Sequence, residues 1–217
     1  MLRAHVPQSG FTVVEVLVSL TVLSVLLMLG APAFSEWLQN QQIRSAADAA
    51  LNGLQVARAE GVRINGPVRF QFVSDLTSSC ALTNDPQTAP NWVVSLGDPT
   101  GKCDVKSDPA DPANPQIVQS RSNAEGSPNA FATAVFVPAP PAAAAALAAT
   151  TVTFSSLGNV TANADGTPSI VKIDVTNTNI AADARRPLRI IVNPGGSTRL
   201  CDPALAATDP RGCPAWP

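Results

Sequence analysis

The sequence predicts an α+β protein: one long N-terminal helix packed on an antiparallel β-sheet head that two disulfides brace. Three observations predict this. An apolar run begins just after Gly10 and carries no charge from Val16 to Phe34. A stripe of small residues then continues at helical spacing as far as Gly61. Beyond Pro67 the apolar period falls from about 3.6 residues to two, and all four cysteines lie in that later part.

The helix comes first. Between Val16 and Phe34 the polar side chains are Ser19, Thr21 and Ser24. A helix rises about 1.5 Å per residue, so about 20 apolar residues cross a bilayer core, and residues 11–35 suffice. Glu15 stands near the start of the run, where a charge costs about 2.5–3.5 kcal/mol on insertion scales. Such a residue asks for a partner. Arg3 before the run, and Glu36 after it, turn the N-terminus toward the cytoplasm. Trp37 is then the expected interfacial aromatic, and Pro32 is a candidate bend at the membrane exit.

Past the apolar run, Ile43, Ala47, Ala50, Leu54, Ala57 and Gly61 recur at alternating steps of four and three. That spacing keeps them on one face, with Gln42, Arg44, Asp48, Asn52, Gln55 and Arg58 mostly elsewhere. Asn65-Gly66-Pro67 supplies the stop. The helix is therefore expected over residues 11 to about 64.

The N-terminal junction has an order opposite to a secretory signal, in which the cleavage site follows the apolar stretch. Here Arg3 comes first, then Gly10, then the apolar residues, so a cut after Gly10 leaves the helix on the mature chain. The set Arg3, Gly10, Phe11 and Glu15 resembles the leader of type IV prepilins and pseudopilins, with Gly last in the leader, Phe first in the mature chain and Glu fifth. The resemblance implies cleavage between Gly10 and Phe11 by a prepilin peptidase, and N-methylation of Phe11. It also implies that Glu15 pairs with the new N-terminal amine of a neighbouring subunit. Its implied partners are that peptidase, other major and minor pilins or pseudopilins, and the inner membrane. The chain is then expected as a leader (1–10), a transmembrane and assembly helix (11–35), a periplasmic amphipathic helix (36–65) and a β-rich head (66–217). It would sit single-pass in the inner membrane, with its C-terminal head in the periplasm, or enter a pilus or pseudopilus.

The head reads as short strands. Residues 68–73 alternate Val, Arg, Phe, Gln, Phe, Val, as a half-buried strand does. Further strands are expected over 92–96, 116–119, 131–137, 152–155, 170–175, 188–192 and 197–201, the last two joined by a turn at Asn193-Pro194-Gly195-Gly196. Asp108-Pro109, Asp111-Pro112 and Asn114-Pro115 mark a proline-punctuated loop, and residues 138–149 are a Pro/Ala-rich linker or short helical turn.

Cys80, Cys103, Cys201 and Cys213 all follow the apolar helix, on the side expected to be oxidising, so they read as two disulfides. Three pairings exist on paper. Cys80–Cys103 and Cys201–Cys213 are favoured because each closes a local loop. No C-x-x-C pair supports zinc, and no cofactor or metal is expected. The single histidine, His5, lies in the leader, which takes the commonest general base out of the mature chain. No nucleophile-elbow or paired-carboxylate pattern replaces it, so no enzyme is expected.

The formal net charge is −2, but it is uneven. Acidic residues dominate from Asp75 to Glu125, and basic ones from Arg185 onward. Several head segments resemble the FimT/GspH branch of minor pilins and pseudopilins. They are residues 46–63 with Ala57, Arg58 and Glu60, then residues 152–160, then Arg189-Ile190-Ile191-Val192 through Arg199-Leu200-Cys201-Asp202-Pro203, and finally Asp209-Pro210-Arg211-Gly212-Cys213-Pro214. This resemblance implies a FimT-like minor pilin of a type IV pilus, with a GspH-type minor pseudopilin of a type II secretion system as the alternative. Some FimT-type pilins contact DNA in natural transformation through a basic G-R-x-R turn. The matching turn here is Gly196-Ser197-Thr198-Arg199, with serine at the first arginine place. Arg185, Arg186, Arg189, Arg199 and Arg211 are the candidate DNA contacts, provided they gather on one face.

Overall fold

The computed structural model describes residues 10–85, 90–137 and 146–214. Arg3, His5, Trp216 and most of the Pro/Ala stretch lie outside the described residues. The chain divides into two compact units, residues 1–38 and 39–217.

Helix α1 spans Val13–Ile64 and stays helical through Pro32. In the first unit its apolar side chains, from Val13 to Leu29, are exposed. By length and composition this part of α1 can cross a membrane. Phe34 and Trp37 stack, with ring centroids 5.8 Å apart. At the other end α1 stops as the sequence expects. Asn65 takes a left-handed φ of 53°. The Gly66 N–H then donates to Gly61 O at 3.1 Å and the Asn65 N–H to Val62 O at 3.3 Å. These two bonds make a Schellman cap, with asparagine in the place glycine usually fills.

Among the described residues, ten strands form two antiparallel five-stranded sheets. The first contains β1 (Val68–Val73), β2 (Asn91–Ser95), β3 (Ile117–Arg121), β6 (Thr151–Phe154) and β7 (Val160–Thr161) in the order β3-β2-β1-β6-β7. The second contains β4 (Phe131–Phe136), β5 (Leu147–Ala148), β8 (Lys172–Thr176), β9 (Leu188–Val192) and β10 (Thr198–Cys201) in the order β10-β9-β8-β4-β5. Two of these were not foreseen. Strand β5 falls in the Pro/Ala stretch and pairs Val135 with Ala148, and β7 is a two-residue return beside β6. Neither is long enough to show an alternating pattern.

The main core gathers the small face of α1 with inward residues of both sheets, among them Phe70, Trp92, Phe154, Ile173 and Ile190. The buried face of α1 is Ile43, Ala46, Ala47, Ala49, Ala50, Gly53, Leu54, Ala57 and Gly61. Gly53 was not in the expected stripe, yet it sets the closest approach. A Cβ there would lie 2.8 Å from the Phe70 ring and 2.9 Å from the Trp92 ring. Those rings are themselves in contact, tilted at 34° with 5.5 Å between centroids, and both are buried.

Strand β1 was expected to be half-buried, with one face in solvent. Instead nearly all of β1, and all of β2 and β6, are buried. The reason is a second, smaller core on the opposite face of the first sheet, where Val73 and Val93 meet the Cys80–Cys103 disulfide, Leu76, Leu82 and Ile117. The disulfide-closed loop roofs that face. Gln71, which the alternation turned outward, is enclosed there and is satisfied by Thr151 Oγ1 at 3.4 Å and by the Ser95 hydroxyl at 3.3 Å. Cys201 and Cys213 form the second bridge, over a separation of 12 residues. In the chain-entropy account each such closure is worth about 3 kcal/mol.

The Gly53 contact gives a direct test. Gly→Ala in a helix interior ordinarily stabilises by about 1 kcal/mol. At Gly53 the added methyl overpacks two buried rings, a cost of about 1–3 kcal/mol. Gly53→Ala should therefore lower the denaturation midpoint of the head, whereas a gain in stability would contradict the packing described here.

Candidate functional site

At the start of α1 the Thr12 hydroxyl accepts the backbone N–H of Glu15 at 3.3 Å. Thr12 is thus the N-cap, and Thr12-Val13-Val14-Glu15 has the spacing of a capping box. The polar residues of the apolar run are satisfied within the helix. Ser19 donates to Glu15 O (2.8 Å), Thr21 to Val18 O (2.8 Å) and Ser24 to Leu20 O (2.7 Å). Each hydroxyl can therefore sit in lipid without an unmet donor. Glu15 differs. Among the described residues nothing bonds its carboxylate. Gly10 and Phe11 precede the helix in irregular, exposed backbone, the state a peptidase requires of its substrate.

The candidate basic residues are mostly engaged by partners within the chain. Arg189 pairs with Asp174 at 2.5 Å, and Lys172 reaches the other oxygen of that carboxylate at 3.3 Å. Arg199 donates to the carbonyls of Pro210 and Gly212, each at 3.1 Å, and so ties β10 to the loop that the Cys201–Cys213 bridge closes. Arg211 contacts Asp209 within that loop at 3.3 Å. Its guanidinium, by hydrogen bonding, holds the Asp209 carboxyl below the ordinary range. Arg185 donates to Ile180 O at 2.8 Å. Arg186 has an exposed side chain, and its backbone N–H donates to Asn40 at 2.9 Å.

The turn that corresponds to the basic motif lies elsewhere. Gly196, with φ 79°, backs so closely onto Gly158 that a Cβ would fall 1.7 Å from Gly158 O. The same carbonyl accepts Arg58 Nε at 3.0 Å. Arg58 on α1 thereby clamps the tips of two hairpins, one from each sheet. Asn40 and Arg58 are 18 positions apart on α1, about 27 Å along the axis. Arg186 and the Gly196 turn therefore sit at opposite ends of the head's helix, whereas Arg189, opposite Cys201, and Arg199, bonded to both neighbours of Arg211, lie near the C-terminal loop. Arg58, which the sequence offered only as part of a family spacing, is the cation that reaches the turn.

The comparisons with known proteins follow the same division of the chain. Residues 7–31 match the model of the prokaryotic N-terminal methylation motif, and residues 46–196 match the model of the type II transport protein GspH. The chain belongs to the GspH family. It is a minor pilin or pseudopilin of the type IV pilin-like class, with the N-terminal motif on which peptidase processing and subunit assembly depend. Two crystal forms of the Pseudomonas aeruginosa type IV minor pilin FimU are similar to it. One is 16% identical, covering 72% of this chain and 90% of that one, with a TM-score of 0.38. The other is 15% identical, covering 76% and 91%, with the same TM-score of 0.38. No curated protein sequence matches the chain.

Two outcomes test the roles assigned to charged groups of the head. Arg199→Ala removes two hydrogen bonds from the C-terminal loop, each worth about 1 kcal/mol. It should lower thermal stability measurably, and an unchanged midpoint would mean the loop holds without it. Glu60 is bonded by the Arg63 guanidinium, which holds its carboxyl below the usual carboxylate range. A depressed folded-state value gives stability that is present above the unfolded value and is lost as pH falls through the folded one. The melting difference between the native chain and Glu60→Gln should thus be present at pH 7 and vanish below that range.

Proposed function

We propose that the chain is a FimT-like minor pilin, cut between Gly10 and Phe11 by a prepilin peptidase, N-methylated at Phe11 and drawn into a type IV pilus through α1. In this reading residues 11–35 cross the inner membrane and the rest of the chain lies in the periplasm. Within the apolar layer Glu15 pairs with the N-terminal amine of a neighbouring subunit. The observation that carries the reading is the state of Glu15. It is an acid within an apolar helix whose hydroxyls are all satisfied internally, while its own carboxylate has no partner among the described residues. Pairing two opposite charges in lipid offsets much of the penalty each carries alone.

A GspH-type pseudopilin of a type II secretion system uses the same chemistry and is the alternative setting. The Asp209-Pro210-Arg211-Gly212-Cys213 loop, shaped by Arg199 and the second disulfide, supports the pilus setting because it is the part most like FimT. DNA contact has less support, since Arg189, Arg199 and Arg211 each engage a partner within the chain: Asp174, the Pro210 and Gly212 carbonyls, and Asp209. The chain is read as an assembly subunit with no enzymatic role.

Replacing Glu15 with Ala tests the pairing. The variant should insert in the membrane as well as the native chain, and its share in sheared fibres should fall at least tenfold. Equal incorporation would remove Glu15 from assembly.

A further inference from the structure

Each sheet has two edges, and an open edge invites a further strand. Three of the four are closed. Strands β5 and β7 have two residues each. Strand β10 is overlaid by the C-terminal loop, through Arg199 and the Asp202–Gly212 bridge. Strand β3 is different: it has five residues, no proline and, among the described residues, β2 on one side alone. Its one charged side chain, Arg121, is turned away toward Glu125 O at 2.7 Å. The register of β3 slips once, between Val94–Gln119 and Ser95–Ile117, which leaves Val118 without an opposite residue on β2.

Beside this edge runs an open groove of about 530 Å³. Ile64, Leu96, Ile117 and Val118 give it apolar walls, and Pro109 and Pro112 form its far lip. The lip is rigidly built. Gln116 adopts a left-handed φ of 52°, rare for glutamine, and bonds Asp108 O, Ser107 Oγ and, through its backbone N–H, Asn114 Oδ1. Lys102 adds a bond to Ala113 O at 2.6 Å. The charge around the groove is negative. Asp111 lines the lip and Asp104 and Asp108 are exposed in the same segment; Lys102 and Lys106 offset two of these three carboxylates, and Arg63 is balanced by Glu60 at 2.5 Å, so a net negative charge remains.

We propose that the β3 edge and this groove receive an extended, positively charged peptide segment of another protein, added as a sixth strand to the first sheet. A row of outward main-chain N–H and C=O groups is met by another extended main chain. The apolar walls take alternate side chains of that strand, and the acidic lip selects lysine or arginine for those facing out. The proposal goes beyond the pilin reading and needs neither leader cleavage nor fibre assembly.

The test uses the full chain in nonionic detergent and a fluorescent ten-residue peptide of alternating valine and lysine. Binding is read by anisotropy, and its place by hydrogen exchange of the backbone amides. The expected result is saturable, salt-sensitive binding that slows exchange at residues 118–121. A valine–glutamate peptide should bind at least tenfold more weakly. Val118→Pro blocks the edge at the one position that β2 leaves unpaired, and should abolish the protection. Asp108→Asn with Asp111→Asn keeps the side-chain oxygens that accept Ala110 N–H and Ala113 N–H. It should weaken binding at least threefold and flatten its salt dependence, and it decides the matter if Val118→Pro does not fold. Absence of protection at β3, equal binding of the acidic peptide, or an unchanged affinity in the aspartate variant would each overturn the proposal. So would β3 amides already protected in peptide-free dimers, which would give the edge to a second copy of the chain.

Discussion

One helix must suit two surroundings along its length, and the rest of the molecule follows from that constraint. From Val13 to Leu29 the side chains of α1 are mostly large and apolar, and they are exposed. From Ile43 to Gly61 the buried face is alanine and glycine with two larger aliphatics. Large apolar residues fit lipid, where volume costs nothing. Small ones let a backbone approach a sheet until aromatic rings touch it. Gly53 marks the limit of that approach: with no Cβ it admits Phe70 and Trp92 against the helix itself. The paired rings then anchor β1 and β2, and through them the register of the first sheet.

The second constraint is that the first sheet is covered twice. Helix α1 takes one face and the Cys80–Cys103 loop takes the other. A small head does not easily cover a sheet on both sides with helix, and here a disulfide-closed loop does the work with few apolar residues. It encloses Gln71, Ser95 and Thr151, which satisfy one another. The acidic proline-rich lip beside β3 follows directly, in the segment between Cys103 and β3.

Much of this was legible in the sequence because the signals were periodic or positional. The helix was visible from its apolar run and its stripe, and its end from Asn65-Gly66, which the Schellman cap realises. Most strands showed through alternation. Other features left no such mark. Strands β5 and β7 are too short to alternate. Burial of both faces of β1 depends on a loop from elsewhere in the chain, so residue 71 read as exposed. Gly53 carries no side chain to place it in a hydrophobic stripe. The separation of Arg186 from the Gly196 turn is set by the direction of β9 along α1, which no local pattern encodes. Arg58 was visible as a residue, but its clamp on two hairpin tips needs both sheets in place. At the N-terminus the offsets among Gly10, Phe11 and Glu15 were legible, and the Thr12 cap extends them.

The account rests on an apolar helix that maturation leaves in place, with an acid poised five residues into the new chain. The intact mass of native protein, purified from membranes and from sheared fibres, tests this most directly. The account predicts a chain that begins at Phe11, carries one added methyl group and retains all of α1. A chain that still holds residues 1–10 in fibres, or one cut beyond Phe34, would contradict it.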